Sequence, residues 1–185
     1  MTDGPVSRAS GSADDSGTTG DVSGSSGDDW RDAVDHVAID RVVRAYADAV
    51  NRRAWPELDG LFTPDAHIHL DLGTRGTRQF SGPGEIGEFI DRAIAGFDFF
   101  EFGILSSHII LGHLGDPDRA AVRLWMTEIR HSAAEGRWTT VYGLYQDILV
   151  RTPGGWRFSE RYYNSLARSA ADLEVLPTPP DRFGG

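Results

Sequence analysis

A β-hairpin pattern at residues 137–163 constrains the fold of this chain more than any other feature. Two runs rich in aromatic and β-branched residues flank the turn-forming tetrapeptide Thr-Pro-Gly-Gly at residues 152–155. Successive side chains of a strand alternate between its faces, so Tyr145 and Asp147 share one face of the first run. A carboxylate in so apolar a strand indicates that one face is covered by other elements, while the other face lines a cavity or meets a partner chain.

The remaining elements predict an α+β fold. Apolar residues recur at helical spacing between Trp30 and about Arg53, a short helix begins near Pro56, and a third helix with an early proline begins after Ser81. Period-two alternation predicts a strand at residues 66–71, and two further strands, at 105–114 and 119–131, precede the hairpin. Helices followed by a run of antiparallel strands are typical of an α+β domain, with the helices on one face of a strongly curved sheet.

Both ends of the chain have the composition of unpacked tails. Residues 1–29 are mainly Gly, Ser, Asp and Thr, which offer almost nothing to bury, so a disordered tail is predicted there. Beyond about Ser169 the chain declines to Ala, Asp, Pro and Gly, and a flexible tail is predicted at residues 169–185. One folded domain at residues 30–168 remains, which suits a chain of 185 residues.

Charge and cysteine content exclude several classes of protein. A formal net charge of −10 argues against nucleic-acid and anionic-membrane partners, which require basic patches. The absence of cysteine excludes disulfides, thiolate nucleophiles and cysteine metal sites, and it permits a reducing compartment. No apolar run approaches the ~18 residues of a membrane span, and the N-terminus lacks a secretion-signal pattern, so we expect a cytoplasmic protein.

Six fragments in a fixed order resemble the SnoaL-like (polyketide cyclase and scytalone dehydratase-like) branch of the nuclear transport factor 2-like superfamily. They are AYADAVNRRAW from Ala45, LFTPDA from Leu61, SGPGEI from Ser81, the Ser107-His108 pair, and YQD from Tyr145 together with GWRF from Gly155. The resemblance spans roughly residues 34–161. It implies a cone-shaped barrel of strongly curved, mostly antiparallel sheet with three helices packed on it, an apolar pocket inside, and a homodimer packed sheet to sheet.

The resemblance also assigns positions to the dehydratase machinery. His108 falls where dehydratase-type enzymes carry a catalytic histidine, whereas Asn51 stands where an aspartate usually ends the first helix, so the aspartate that would orient the imidazole is absent. The second dehydratase histidine falls near Met126, and the substrate-binding serine and asparagine fall at Gly143 and Tyr145. Dehydratases, isomerases, cyclases and proteins without known catalysis share this superfamily, so the fold alone does not fix a reaction.

Polar groups inside the predicted strands are the candidates for chemistry. His108 is a candidate general acid or base, since an ordinary imidazole titrates near pH 6.5; otherwise it is a core histidine with a backbone partner. If Asp147 and Glu128 point into an apolar cone, desolvation raises their pKa and suits them to proton transfer. Alternatively, Glu128 pairs with Arg130, Arg157 or Arg161 near the barrel mouth, and this ion pair has structural value only.

Tyrosines and histidines form two further patterns. Tyr46 and Tyr145 either donate hydrogen bonds to a carbonyl or enolate oxygen or simply form cavity wall. His67, His69 and Asp71 lie on one side of one strand, which can supply metal ligands but equally presents a polar face to solvent or to a partner. No fourth ligand is identifiable, so no metal is predicted. The sequence has no phosphate loop, nucleophile elbow or dinucleotide fingerprint, so we also expect no cofactor.

Together these features predict a cofactor-independent enzyme that performs dehydration, isomerisation or cyclisation by proton transfer on a hydrophobic, oxygenated small molecule. The predicted catalytic residues are His108, Asp147, which either orients His108 or is a second acid-base group, Tyr46 and Asn51. The predicted substrate-binding residues are Tyr145, Glu128, Met126, Phe89 and Trp125. The alternative is a non-catalytic small-molecule-binding or oligomerisation module of the same fold. Convergence of His108 and Asp147 on one cavity would distinguish the two.

Overall fold

The computed structural model describes residues 25–169 and 173–183. In chain order the elements are α1 (Ser25–Arg52), a 3₁₀ helix (Trp55–Gly60), β1 (Phe62–Asp71), β2 (Thr77–Ser81), α2 (Gly82–Ile94), β3 (Phe99–Leu111), β4 (Arg119–Ser132), β5 (Arg137–Thr152), β6 (Gly155–Ser169) and β7 (Leu173–Val175). The helices and the hairpin lie where the sequence predicted them. The sequence did not predict β2, nor β7, which lies in the predicted C-terminal tail, and β3 begins before the predicted strand at residues 105–114. Residues 1–24 of the predicted N-terminal tail lie outside the described residues, and α1 already begins at Ser25.

The strands form one mixed sheet in the order β2-β1-β6-β5-β4-β3, with β7 also paired to β6. Neighbouring strands are antiparallel except β1 and β6, which run parallel. The predicted meander of β3 to β6 and the α+β class are confirmed. The sheet stays open, however, because β2 and β3 occupy its two edges and do not pair to close a barrel.

Both α-helices pack on one side of the sheet, here called the inner face. On α1, buried side chains recur three or four residues apart at Ile39, Val43, Tyr46 and Val50, which is the spacing of one helical face. Burial of each such side chain contributes about 1.5–3 kcal/mol to folding. No helix in the described part of the chain combines the length and apolarity needed to cross a bilayer.

A β-bulge on β3 changes which of its side chains reach the inner face. The register with β4 shifts between Ile104 and Ser106, because Leu105 is one residue more than the ladder can pair. His108 therefore lies opposite Arg123, whereas an unbroken ladder would set it opposite Val122. A one-residue shift of register reverses the face of every residue beyond it.

A second bulge lies in the hairpin of β5 and β6. Ser159 is the extra residue, and its hydroxyl donates a hydrogen bond to the Ile148 carbonyl, 3.2 Å away. Asp147 consequently lies opposite Arg161, whereas counting from the turn without a bulge would set it opposite Glu160. This shift brings the carboxylate of Asp147 and the guanidinium of Arg161 together on the inner face.

In the described part of the C-terminal segment, residues 173–175 form β7, and residues 176–183 pack against the opposite face of the sheet. The fully buried Gln146 amide donates to the carbonyl of Pro180 over 3.2 Å and accepts from the backbone nitrogen of Arg182 over 2.8 Å. The guanidinium of Arg182 also lies 3.7 Å from the centre of the Tyr162 ring. The sequence predicted an unpacked tail here, but the burial of the Gln146 amide, which needs partners, explains why the segment docks.

Candidate functional site

A cavity of about 110 Å³ lies between α2 and the inner face of the sheet. Its apolar wall consists of one face of α2 together with two leucines: Ile86, Phe89, Ile90, Ala93, Ile94, Leu70 and Leu72. Its polar wall consists of tyrosines, arginines and one glutamate: Tyr46, Tyr145, Tyr163, Arg75, Arg130, Arg161, Arg168 and Glu128. This volume is smaller than the about 150 Å³ of an apolar cavity that holds benzene, so the cavity admits at most a single small ring or a short branched chain.

Arg161 forms the floor of the polar wall, and its side chain is only 1% exposed. Its Nε and Nη2 donate to the two carboxylate oxygens of Asp147 over 2.9 and 2.8 Å. The guanidinium carbon lies 4.0 Å from the centre of the Tyr46 ring and 4.5 Å from that of Tyr145. The remaining nitrogen, Nη1, is buried and has no hydrogen-bond partner within the described residues. It is a donor that an oxygen of a ligand can satisfy.

Asp147 is fully buried on the same strand as Tyr145 but does not line the cavity. Burial raises the pKa of its carboxyl, and the charge and hydrogen bonds of Arg161 oppose that shift. Because Arg161 occupies both carboxylate oxygens, the role of Asp147 is to orient the guanidinium. The structure thus pairs Asp147 with Arg161, whereas the sequence predicted that it either orients His108 or is a second acid-base group.

Tyr145 and Tyr163 keep their hydroxyl protons at neutral pH. Burial raises the pKa of Tyr145 well above its ordinary value, and the neighbouring Tyr46 adds to the shift. Burial likewise raises the pKa of Tyr163. The ring centres are 6.3 Å apart for Tyr46 and Tyr145 and 4.9 Å apart for Tyr145 and Tyr163. The phenols are therefore hydrogen-bond donors whose positions are set by ring packing.

Glu128 and Arg130 lie two residues apart on β4, so both project onto the inner face, where they form an ion pair at the cavity. Burial, together with the charges of Arg168 and Arg75, lowers the pKa of Arg130 to about 10. The Nε of Arg130 is buried and has no hydrogen-bond partner in the described structure. Glu128 is the carboxylate among the described residues that line the cavity, and four arginines line it as well.

Gly143 makes room for the third tyrosine. A Cβ at this position would overlap the ring of Tyr163 and approach the sulfur of Met126 to 2.9 Å. The absence of a side chain lets the Tyr163 ring pack directly against the backbone of β5. Met126, predicted to bind substrate, is completely buried beneath this contact and belongs to the core.

The structure brings four of the predicted site residues to the cavity and leaves another predicted binding residue on the far face. Tyr46, Tyr145, Glu128 and Phe89 line the cavity. Trp125 does not, because it projects from β4 on the face opposite Leu124 and Met126 and is 39% exposed.

His108 does not reach the cavity, and the predicted convergence with Asp147 is not formed. The bulge at Leu105 turns its side chain away from the inner face. His108 is exposed and borders a groove beside His36 and Asp40 of α1. It therefore cannot act on a molecule held beneath α2.

The side-chain amide of Asn51 forms hydrogen bonds with the backbone of β3. This amide was predicted to be catalytic, as a donor to a substrate oxygen. Its Nδ2 donates to the carbonyl of Phe102 over 2.9 Å, and its Oδ1 accepts from the Phe102 nitrogen over 2.7 Å. Both halves of the amide are thereby occupied. Asn51 joins the end of α1 to β3 and does not line the cavity.

The histidines of β1 do not assemble a metal site. In the parts of the chain that the structure describes, no group of three His, Asp or Glu side chains is close enough to hold a metal ion. Asp71 accepts a hydrogen bond from the Gly73 nitrogen over 2.9 Å, and the ring of His69 lies 6.1 Å from that of Tyr162. His67 is exposed, so this strand presents polar side chains outward, which was the alternative to a metal site.

Sequence reasoning missed the arginines of the polar wall. Arg130 and Arg161 were predicted only as possible ion-pair partners of Glu128, and no role was predicted for Arg75 and Arg168. The reason is that an arginine side chain is usually solvated. One signal was present: Arg161 alternates with Tyr163 on β6, so it shares a face with an aromatic side chain.

Residues 31–162 match the family model of the SnoaL-like domain, which is more than two thirds of the chain. The chain belongs to the SnoaL-like family. An uncharacterised protein of Mycobacterium tuberculosis is similar to this SnoaL-like chain, with 29% identity over 131 residues, which cover 69% of this chain and 82% of that protein.

Solved structures share the fold of this SnoaL-like chain. A scytalone dehydratase candidate from Novosphingobium aromaticivorans superposes with a TM-score of 0.65 at 19% identity and covers 78% of this chain and 92% of that one. The hexachlorocyclohexane dehydrochlorinase LinA-type3 from Novosphingobium barchaimii superposes with a TM-score of 0.64 at 15% identity, over 82% and 99% of the two chains. At these identities the likeness concerns the fold alone.

Proposed function

We propose that this SnoaL-like domain binds a small molecule in the cavity beneath α2 and moves a proton on it without a cofactor. One observation carries the proposal: a carboxylate, Glu128, lines the same small cavity as the buried donors Arg161 and Tyr46. The fold shared with a dehydrochlorinase and a dehydratase candidate supports it, since both names denote elimination reactions.

The mechanism assigns one role to each polar group. Glu128 accepts a proton from a carbon next to a carbonyl group, and the electron pair moves to the carbonyl oxygen. Arg161 Nη1 and the Tyr46 hydroxyl donate hydrogen bonds to the resulting enolate oxygen. In a substrate with a second double bond next to the enolate, Glu128 then returns the proton to the far carbon of the conjugated system, which is an isomerisation. In a β-hydroxy ketone, Glu128 returns the proton to the hydroxyl, which leaves as water when the enolate collapses. The apolar wall of α2 strengthens these contacts by excluding water.

Deuterium exchange into simple carbonyl compounds tests the proposed proton transfer directly. Small ketones and β-hydroxy ketones are incubated with the protein in D₂O, and NMR follows exchange next to the carbonyl. We expect Glu128→Gln to slow the exchange about 10²–10⁴-fold. Glu88→Gln, on the exposed side of α2, and His108→Ala should both retain it. Equal exchange by the wild-type protein and Glu128→Gln would contradict the proposal.

A non-catalytic small-molecule-binding module is the second candidate. Two observations favour it. His108 and Asp147 do not converge on one cavity, which was the feature expected to distinguish the two candidates. In addition, Arg130 and Arg161 engage both carboxylates, Glu128 and Asp147. A paired carboxylate is a weaker proton acceptor than a free one. This candidate predicts saturable ligand binding without exchange or turnover in any compound that binds.

The homodimer implied by the resemblance and the cytoplasmic location stay predictions. Exposed Trp125 and Tyr142 on the face opposite the helices support a contact between sheets. Light scattering of the purified protein tests the dimer, because its mass should be twice the 20.2 kDa of the chain. A monomer at micromolar concentration would contradict it.

A further inference from the structure

We infer that the molecule bound in this cavity is a carboxylic acid, with its carboxylate against Arg130 and Arg75 at the open end of the polar wall. The inference rests on the proposed function, because it names the class of ligand for the same cavity. It concerns binding, so it is testable apart from any turnover.

The charges of the cavity are the first reason. Four guanidinium groups line it, at Arg75, Arg130, Arg161 and Arg168, whereas Glu128 is the carboxylate among its lining residues and Asp147 lies just beneath Arg161. Arg168 already has an interaction partner, so the three remaining cationic groups exceed the two anionic groups by one. This excess is local, because the chain as a whole has a formal net charge of −10. A neutral ligand would leave the excess charge without compensation in a partly desolvated site.

Unsatisfied donors are the second reason, and they are independent of the charge count. Arg130 Nε and Arg161 Nη1 are both buried and lack hydrogen-bond partners in the described residues. A carboxylate offers about four lone-pair sites and accepts from guanidinium groups through short, charge-assisted bonds. A second oxygen on the same ligand, such as a carbonyl, can accept from Arg161 while the carboxylate accepts from Arg130.

The gradient of exposure sets the orientation of the ligand. The Arg161 side chain is 1% exposed, that of Arg130 is 13% exposed, and Arg75 is exposed at the rim. The most strongly hydrated part of a ligand, its carboxylate, loses least water at the rim. The lowered pKa of Arg130 agrees with this placement, since an anion would oppose the repulsion from Arg75 and Arg168.

Shape and apolar surface limit the body of the acid. The wall of Ile86, Phe89, Ile90 and Ile94 offers only apolar contacts to the part that it encloses. With a volume of about 110 Å³ the cavity suits one ring or a short branched chain. We therefore expect aryl or branched aliphatic carboxylic acids, and no polycyclic neutral molecules.

The test compares an acid with its uncharged isostere. Binding of phenylacetate and phenylacetamide is measured by calorimetry on the full chain, together with thermal shift. We expect phenylacetate to bind at least about tenfold more tightly, an advantage that shrinks as salt rises. Arg75→Gln should weaken phenylacetate about tenfold and leave phenylacetamide unchanged. Arg92→Gln, on the exposed side of α2, is the matched control and should change neither.

Arg130→Lys separates the contact from the charge. Lysine keeps the positive charge and an ion pair with Glu128 but removes Nε, so phenylacetate should still bind more weakly than to the wild-type protein. Equal binding of acid and amide, equal effects of Arg75→Gln and Arg92→Gln, or absence of phenylacetate binding at millimolar concentration would overturn the inference. Tighter binding of phenyl phosphate than of phenylacetate would also overturn it.

The outcomes separate this inference from the proposed function. If phenylacetate binds in an Arg75-dependent way while Glu128→Gln leaves every exchange rate unchanged, the carboxylate site stands and proton transfer fails. If ketones exchange through Glu128 while the acid binds no better than the amide, proton transfer stands and the carboxylate site is refuted.

Discussion

At the scale of single residues, Arg161 is the side chain on which both the core and the cavity depend. It lies within cation–π distance of Tyr46, Phe158 and Tyr145, and its charge is balanced by Asp147. Taking two ions out of water costs several kcal/mol each, so this pair is stable only while both partners are present. Removing either partner leaves a bare charge in the core.

Asp147→Ala should therefore lower the free energy of unfolding by about 3–5 kcal/mol, measured by urea denaturation. The matched control is Asp118→Ala, which removes an exposed partner of Arg151 and should cost less than about 1 kcal/mol. The double variant Asp147→Leu with Arg161→Met should recover much of the loss, because no charge remains buried. If Asp147→Ala and Asp118→Ala had similar effects, the buried pair would not be structurally important.

Asn51 gives a second prediction, based on hydrogen bonds in opposite directions. Asn51→Asp keeps the acceptor for the Phe102 nitrogen but sets a carboxylate oxygen against the Phe102 carbonyl. The free energy of unfolding should fall by about 1–3 kcal/mol at pH 7. The carboxyl should have a raised pKa in the folded state, so the loss should shrink as the pH falls through that raised pKa and be smallest below about pH 4, the ordinary value, because the group is then protonated and can donate. Urea titrations at pH 7 and at acidic pH check this, and an equal loss at both would contradict it.

At the scale of elements, strand and helix positions were predictable but faces were not. Alternation and helical spacing predicted the hairpin and both α-helices, because these patterns depend only on neighbours in sequence. A bulge depends on packing across strands and leaves no comparable pattern. Because Leu105 is an extra residue in β3, His108 faces away from the cavity. Because Ser159 is an extra residue in β6, Asp147 lies opposite Arg161 and not opposite Glu160. The predicted pairing of His108 with Asp147 is therefore not formed.

Gly143 tests how tightly β5 and β6 pack at the cavity. Gly143→Ala forces the Tyr163 ring and the Met126 sulfur away from the strand, and overpacking of this kind costs about 1–3 kcal/mol. Gly84→Ala is the control, because nothing lies within 4 Å of its added methyl group and alanine favours a helix. Thermal and urea unfolding should show destabilisation only for Gly143→Ala, with weaker ligand binding as the ring shifts. Unchanged stability would mean that Tyr163 has space elsewhere.

At the scale of the whole molecule, the sheet is covered on both faces by segments far apart in sequence. Helices cover the inner face, and residues 176–183 cover part of the other. The sequence suggested a solvated tail there because Pro, Gly and Asp dominate it. The docking site was not apparent, since Gln146 reads as an ordinary polar residue until its strand is found to be buried on both faces.

Deletion of residues 176–185 should lower the free energy of unfolding by about 1–3 kcal/mol, because the buried Gln146 amide loses both partners. Gln146→Leu in the shortened chain removes the unsatisfied amide and should restore part of the loss. Urea denaturation of the four combinations measures the coupling between the two changes. A coupling energy near zero would show that the segment docks through other contacts.

The position of Arg161 has a consequence for how relatives of this domain can diversify. A group that holds the interior together cannot be exchanged freely to suit a new ligand, because every replacement first has to keep the protein folded. That constraint is weaker for Arg75, which is exposed at the rim, and for Phe89 and Ile90 of α2, which are only partly buried. New specificities should therefore arise by changes in α2 and at the rim of the cavity, while Arg161 and Asp147 are retained.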